Sequence, residues 1–433
     1  METKVKVTSF LTHILRVVLF TLFFVLNRQL VEANDINLVS LGAKSDGFTD
    51  SSIAFMSAWN IACESLNPST ILVPQGRYLV NKALVFNGRN CKNKAISFVI
   101  SGTLVAPADF EVLGNAGTWF SFDDVNGVSI SGGVFDGQGA GLWACKRSGK
   151  TCPPGATVTY DLINTMFVQT IRFSNSMNIV VNGLTSLNSQ LYHIDFDGCK
   201  EVKVEGVKVS TLGASPNTDG IHVQQSTGVT IMNSKIGTGD DCVSIGAGTS
   251  NLWIENIDCG PGHGISIGSL GKEVNEPGVV NVTVKSCTFV GTENGVRIKS
   301  WGRPSNGFVR NVLFQHLTMV NAQNPIIINQ NYCPKEKGCP GQVSGVRISD
   351  VTYQDIHGTS GTPIAVKFDC SSEYHCTNIK VEDVVLTYRN KPAGSSCINT
   401  VESTLDSIEP NSCALLGIET SCLTSSNSNL VKA

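Results

Sequence analysis

Along most of the chain, apolar residues occupy alternate positions in short runs that end near Gly, Asn or Asp, the signature of half-buried strands closed by turns. The first apolar residues of one series of runs are Val128, Ile179, Val202, Val229, Leu252, Val282, Val312, Val346 and Ile379. Their gaps are 51, 23, 27, 23, 30, 30, 34 and 33 residues, the first reading as about two repeats. A second, interleaved series starts at Ile194, Ile221, Val243, Ile265, Val296, Ile326 and Ile364. Two strand series in constant phase, with no helical pattern between them, predict an all-β, single-domain right-handed parallel β-helix in which each coil adds a rung to several sheets. A β-sandwich or propeller built from the same strands would need tight turns of Asn-Gly type, and most connections here are longer.

A solenoid has two open ends that need covers. Near the first, Asp50 or Ser51 can N-cap a helix that places Phe55, Trp59, Ala62 and Leu66 on one face, a plug for the first coil. Residues 34–125 are read as this cap and the first coils. The stretch from Ser395 to Ala433 is rich in Ser and Asn and holds Cys397, Cys413 and Cys422, the composition of a stapled, irregular cap with a loose tail.

The first 33 residues read as a secretory signal rather than as part of the fold. Lys4 and Lys6 form a basic start, Val17 to Leu26 is an apolar run of ten broken only by Thr21, and Val31-Glu32-Ala33 puts small residues where a signal peptidase cuts. Ten residues are too few to span a bilayer, so no membrane association of the mature form is expected. With Lys4, Lys6, Arg16, Arg28, Glu2 and Glu32 removed, 28 basic and 33 acidic residues remain, net -5. That balance argues against a nucleic-acid partner, and any polyanion would need a local positive patch. All 15 cysteines follow the signal and read as extracellular disulfides with at least one thiol left over. Proximity in sequence suggests Cys63–Cys91, Cys145–Cys152, Cys242–Cys259, Cys333–Cys339 and Cys370–Cys376. One sequon, Asn281-Val282-Thr283, is compatible with N-glycosylation.

Charged residues make up only 15% of the chain, and several of them break the strand pattern at one repeat position. They lie in Asn217-Thr218-Asp219-Gly220 before Ile221, Gly239-Asp240-Asp241-Cys242 before Val243, and Gly262-His263-Gly264 before Ile265. Asp219, Asp241 and His263 are spaced by 22 and again by 22 residues. Equivalent positions on successive coils stack about 4.8 Å apart, so these residues should form a vertical file. Arg297 and Lys299 alternate on the strand beginning at Val296 and point the same way. Taken singly, each motif has a plain structural explanation: a turn, a solvated acidic loop, a structural histidine, an exposed strand face. Together they gather three carboxylates, an imidazole and two cations. Carboxylates so close cannot all ionise easily, which leaves a protonated acid beside a charged base, the pair that glycosidic cleavage requires. Arg297 and Lys299 would bind a substrate carboxylate. Adjacent Asp240 and Asp241 would face opposite ways in a regular strand, so a turn or bulge at Gly239 is expected.

The strings Ser215-Pro216-Asn217-Thr218-Asp219-Gly220-Ile221-His222, Gly239-Asp240-Asp241-Cys242, Cys259-Gly260-Pro261-Gly262-His263-Gly264-Ile265-Ser266-Ile267-Gly268-Ser269 and Arg297-Ile298-Lys299 resemble the four signature motifs of plant-type polygalacturonases. The likeness runs from about Gly42 to about Cys397. It implies a β-helix that hydrolyses α-1,4-linked galacturonan with inversion, without metal or cofactor, acting as a secreted monomer on pectin in the cell wall, endo slightly favoured over exo. By position it implies Asp240 as general acid, Asp219 and Asp241 as the pair that holds and deprotonates water, and His263 as the neighbour that sets the acid's protonation. It assigns Arg297 and Lys299 to a galacturonate carboxylate, and Asn217 to holding the acidic cluster. A calcium-dependent lyase or a non-catalytic pectin-binding solenoid on the same fold are the alternatives.

Overall fold

The computed structural model describes residues 34–114, 116–148, 152, 168–334, 338–401 and 404–409. The proposed signal, Cys413 and Cys422 lie outside them. The described chain forms a right-handed parallel β-helix whose strands hydrogen-bond into an 11-stranded sheet and a 20-stranded sheet. The smaller sheet carries the chemistry. Its strands are β1 (Leu84–Asn87), β2 (Thr118–Asp123), β3 (Gln169–Ser174), β4 (Ile194–Asp197), β5 (Ile221–Gln224) and β6 (Val243–Ile245). It continues through β7 (Ile265–Leu270), β8 (Asn294–Trp301), β9 (Asn324–Tyr332), β10 (Ile364–Asp369) and β11 (Gly394–Ile398), each paired in parallel with the next.

The register of both sheets follows the two predicted series closely. Ile194, Ile221, Val243, Ile265, Val296 and Ile326 are partners in succession. The series then departs by two residues, because Ile326 pairs with Val366, which is 3% exposed, while Ile364 is 39% exposed. In the other sheet Val312 pairs with Val351, not Val346. Val346 lies just before its strand and Ile364 opens β10, each ahead of the residue that takes the rung. The gap of 51 between Val128 and Ile179 is one coil rather than two, since Val181 pairs directly with Ile130. That coil is lengthened by an insertion that includes a helix over Ala140–Arg147. Strands also precede Val128: Asn34–Asn37, Ser69–Val73 and Ile96–Val105 are stacked in parallel on the larger sheet.

Two columns of left-handed backbone bend each coil. One holds Asn178, Glu201, Asn251, Asn281, Asn311 and Asn378; the other holds Asn233, Asn256, Ser286, His316, Asp355 and Asp383, all at φ between 50° and 58°. Asn tolerates this conformation and can hydrogen-bond its counterpart one rung away. Asn281 donates to Asn251 at 3.0 Å and accepts from Asn311 at 3.2 Å, so the sequon asparagine belongs to this ladder. Inside the coils Phe86, Phe122, Phe173 and Phe196 form a stack with ring centroids 4.8, 4.7 and 5.3 Å apart. The rung spacing falls within the centroid separation of offset-stacked rings, so successive rungs can align them.

Helix α1, Ser52–Glu64, covers the first coil with Phe55, Trp59 and Ala62 buried. Asp50 Oδ1 accepts from the Ser52 backbone N–H at 3.0 Å and so caps the entry. Leu66 lies beyond the helix end and is 85% exposed, because the chain leaves helical geometry at Ser65. At the other end, Thr400–Val401 and Thr404–Glu409 continue the larger sheet in parallel with Cys376–Tyr388, so regular strands run further than the irregular cap expected from composition. All five suggested disulfides are present. Cys397 is also disulfide-bonded, whereas Cys199 and Cys287 are buried free thiols, and burial pushes both up to about 12. Among the described residues no helix is long and apolar enough to cross a membrane.

Candidate active site

The three acidic residues sit in the loops that enter β5 and β6. The Ser215–Gly220 loop enters β5 with Asn217 in left-handed backbone, φ 57°, and Asp219 buried behind it. One coil on, the chain bends at Gly239 and Asp240 before β6, which turns both adjacent aspartates toward the same groove. The bend needs glycine: a Cβ at Gly239 would lie 2.1 Å from the Ser215 carbonyl oxygen. Gly239 N–H donates to Thr218 Oγ1 at 3.1 Å, tying the two loops. The next coil brings His263 in through Gly264, at φ +85°, where a Cβ would meet the Asn294 carbonyl at 2.1 Å. The Cys242–Cys259 disulfide joins the end of the aspartate loop to the start of the histidine loop. The spacing that suggested a file therefore does bring the residues together, through loops pinned to their neighbours.

The site divides into two charge clusters. In the first, His263 Nδ1 lies 3.2 Å from Asp240 Oδ1, and His263 Nε2 lies 3.3 Å from Glu293 Oε2. Asp240 also accepts from the backbone N–H groups of Asp241 at 2.8 Å and Asn217 at 3.1 Å. Asn217 thus holds the cluster through its main chain. In the second, Asp241 is 1% exposed and accepts from Arg297 Nη2 at 2.9 Å and Lys299 Nζ at 2.7 Å. Ser266 Oγ completes it, donating to Asp241 at 2.8 Å and accepting from Arg297 Nε at 3.0 Å. The Tyr332 ring lies over both cations, 5.9 Å from the Arg297 guanidinium and 5.3 Å from Lys299 Nζ. Arg297 and Lys299 come from β8, where alternation puts them on one face.

The protons are distributed unevenly. Burial, reinforced by the charges of Asp240 and Asp241, holds the Asp219 carboxyl well above the usual range. Burial pushes Asp240 in the same direction, but the hydrogen bond and charge of His263 outweigh it and hold Asp240 below that range. His263 moves up: burial opposes its charge, and Asp240 and Glu293 overcome this. Relative to free side chains, the resting site therefore favours a proton on Asp219 and another on His263, beside a charged Asp240. Burial also lowers His222 to about 4; its Nδ1 lies 2.7 Å from Ser244 Oγ, the hydroxyl that hydrogen-bonds Asp219.

Sequence reasoning assigned no role to Glu293, Ser244, Ser266 or Lys272. Glu293 stands four residues before Arg297, and Ser244 and Ser266 follow their motif residues on the same strand face. Those positions were readable, but their partners were not. Lys272, on the loop after β7, is a further cation: burial lowers its pKa and Lys299 adds to this, while Glu276 and Asp219 oppose it. Asp240, Asp241 and His263 offer ligand atoms within 4.8 Å of one another. A cation there would compete with Arg297 and Lys299 for Asp241.

A parallel β-helix with a groove of paired carboxylates, one set beside an imidazole and the other beside two cations, defines the class of β-helical glycoside hydrolases. Residues 63–409 match the family model "Glycosyl hydrolases family 28", and the chain belongs to that family. It is 61% identical over 391 residues to a protein named polygalacturonase from Prunus persica, covering 90% of this chain and 96% of the relative. An exopolygalacturonase from Platanus acerifolia is 43% identical over 366 residues, covering 84% and 93%. Among solved structures, an endo-xylogalacturonan hydrolase from Aspergillus tubingensis superposes with a TM-score of 0.72 at 23% identity, over 84% of this chain and 96% of that one. At that identity the likeness concerns the fold.

Proposed function

We propose that the protein is a secreted, monomeric polygalacturonase that hydrolyses α-1,4-galacturonosyl linkages of pectin in the cell wall by acid–base catalysis with inversion. The reading rests on one observation: three aspartates converge in the groove of a family 28 chain, with Asp240 against His263 and Asp241 held by Arg297 and Lys299. Asp240 delivers the proton to the leaving oxygen, and His263 at 3.2 Å is the reservoir that supplies it. Substrate that excludes water from Asp240 raises its proton affinity and draws the proton across that contact. On the opposite side Asp219, which favours its protonated form, orients the attacking water, and the Asp241 carboxylate takes the proton that water gives up. Arg297 and Lys299 keep further N–H groups that can take a galacturonate carboxylate while still holding Asp241, and Lys272 adds a cation at the groove. Asn217 fixes the Asp240 carboxylate through its backbone N–H.

Release of reducing ends from polygalacturonate tests this reading. An Asp240→Asn protein with an unchanged circular dichroism spectrum should lose about 100- to 10,000-fold in rate, and retained activity would remove the acid assignment. An unsaturated product absorbing in the ultraviolet, formed only with calcium, would instead identify a lyase. Binding of pectin with no release of reducing ends would identify a non-catalytic wall protein. The rate should follow a bell centred at mildly acidic pH, because one pair must keep a proton while the other keeps a charge; a rate still rising well above neutrality overturns that. We favour endo action, which mixed early oligomers would support and galacturonic acid alone would exclude.

A further inference from the structure

The larger sheet carries a second cluster of ionisable groups, away from the groove strands. His316 lies on the strand Phe308–Ala322, Asp355 and His357 on Arg347–Ser360, and Asp383 on Cys376–Tyr388. The register Gln315↔Gln354↔Glu382 places His316, Asp355 and Asp383 at equivalent points of three successive rungs. Their φ values are 55°, 53° and 50°, so the bend column itself stacks them. The same column carries Asn233, Asn256 and Ser286 in earlier coils, where neutral side chains satisfy the backbone equally well. The bend therefore explains small or polar residues there but not two imidazoles meeting two carboxylates.

The contacts converge on Asp355. His316 Nδ1 meets one of its oxygens and His357 Nε2 the other. His357 Nε2 also lies 3.7 Å from Asp383 Oδ2. Ligand atoms of Asp355, His357 and Asp383 all fall within 4.8 Å of one another, and His316 is joined to them through its bond to Asp355. The groups are partly open to solvent, with side-chain exposures from 35% to 62%. With both imidazoles neutral, the four side chains carry two negative charges and two nitrogen lone pairs. That donor set, N2O2 with net charge -2, matches a zinc-class divalent ion in charge and in ligand type. A tetrahedron with bonds of about 2.1 Å needs ligand atoms about 3.4 Å apart. Exposed side chains on fixed backbone rungs can close the remaining distance by small rotations.

We propose that His316, Asp355, His357 and Asp383 form a surface site for a zinc-class divalent cation that ties three successive coils of the larger sheet together. The site takes no part in hydrolysis. Its test is titration of the full protein at pH 7.5, where ordinary imidazoles are neutral, with Zn2+ followed by calorimetry and with Co2+ followed by visible absorption. The expected result is one equivalent with a tetrahedral cobalt spectrum. Affinity should fall by about 100-fold or more in a His316→Ala/His357→Ala protein, beyond what loss of an outer partner alone produces, with hydrolysis of polygalacturonate unchanged. A His263→Ala protein separates the two clusters, since it should bind the metal as the wild type does. Absence of binding at millimolar Zn2+ overturns the proposal. So does binding that survives the double substitution and disappears with His263→Ala, which would put the ion among Asp240, Asp241 and His263.

Discussion

Two three-residue charge clusters lie on the same small sheet and are built from the same chemistry in opposite proportions. On β3 and β4, Arg172 serves two carboxylates, with Nε 3.3 Å from Asp195 Oδ2 and Nη2 2.6 Å from Asp197 Oδ2. On the β6 entry loop and β8, one carboxylate, Asp241, serves two cations at 2.9 and 2.7 Å. Both Asp195 and Asp241 are 1% exposed. Burial dominates at Asp195, Arg172 offsets only part of it and Asp197 adds repulsion, so the carboxyl is pushed up to about 7. Asp241 has two cations and the Ser266 hydroxyl directly against it. Equal burial therefore goes with opposite surroundings on this sheet: one cation shared by two carboxylates at one end, two cations on one carboxylate at the other. The first cluster raises an acid's proton affinity, and the second gathers two cations beside the reacting centre.

The largest expected contrast comes from the two buried acids. Asp241→Asn should reduce hydrolysis by about a thousandfold or more, whereas Asp195→Asn should leave it within about threefold. Equal losses, measured as reducing ends from polygalacturonate, would show that the clusters are not functionally distinct.

The next contrast is in stability against pH. Asp195 has its folded pKa raised to about 7 from 3.8, so its contribution is fully present below pH 4 and is lost as pH rises through 7. Each unit corresponds to about 1.4 kcal/mol, giving at most about 4 kcal/mol over that window. Wild-type Tm should therefore fall between pH 4 and pH 7, and Asp195→Asn should flatten part of that fall. An unchanged slope would mean that Arg172 compensates the charge fully.

A smaller effect is expected at the cations. Arg297→Met removes a charge-assisted bond to Asp241 worth about 1.5–3 kcal/mol, so kcat/KM should drop about 10- to 100-fold. Arg172→Met should change it less than about threefold, because that guanidinium is occupied by two acids. Reversal of this order would move substrate recognition to the β3–β4 end of the groove.

The smallest effect concerns Glu293. Its charge helps raise His263, so Glu293→Gln should lower the imidazole pKa and move the alkaline limb of the rate profile to lower pH by about half a unit. Folding should be unaffected, since Glu293 is half exposed. A fixed limb would mean that Asp240 alone sets the proton on His263.

Much of the fold was legible because a solenoid repeats its constraint. Ile221, Val243, Ile265 and Val296 face the core for the same reason on each coil, so a single alternation read many times reveals both strand series. The disulfides followed because a coil brings cysteines near in sequence close in space. Legibility failed where the repeat lengthens or changes phase: at the insertion after Val128, at Val346 and Ile364, and at Leu66, where the helix had already ended. For the site, Asp219, Asp240, Asp241, His263, Arg297 and Lys299 stood out by breaking the strand pattern. Glu293, Ser266 and Lys272 did not, since a lone acid, serine or lysine breaks no pattern until its partner is known.

The sequence by itself therefore determined the coil and its register over most of the groove, since both follow from alternation along one chain. Only the tertiary structure decided how charges and protons are shared. Whether Asp241 meets two cations or Asp240 meets an imidazole depends on atoms 20 to 60 residues apart approaching within hydrogen-bond distance. Those distances are set by the bends at Gly239 and Gly264 and by the stacking of neighbouring coils, and electrostatic energies in a buried site change steeply over a single ångström.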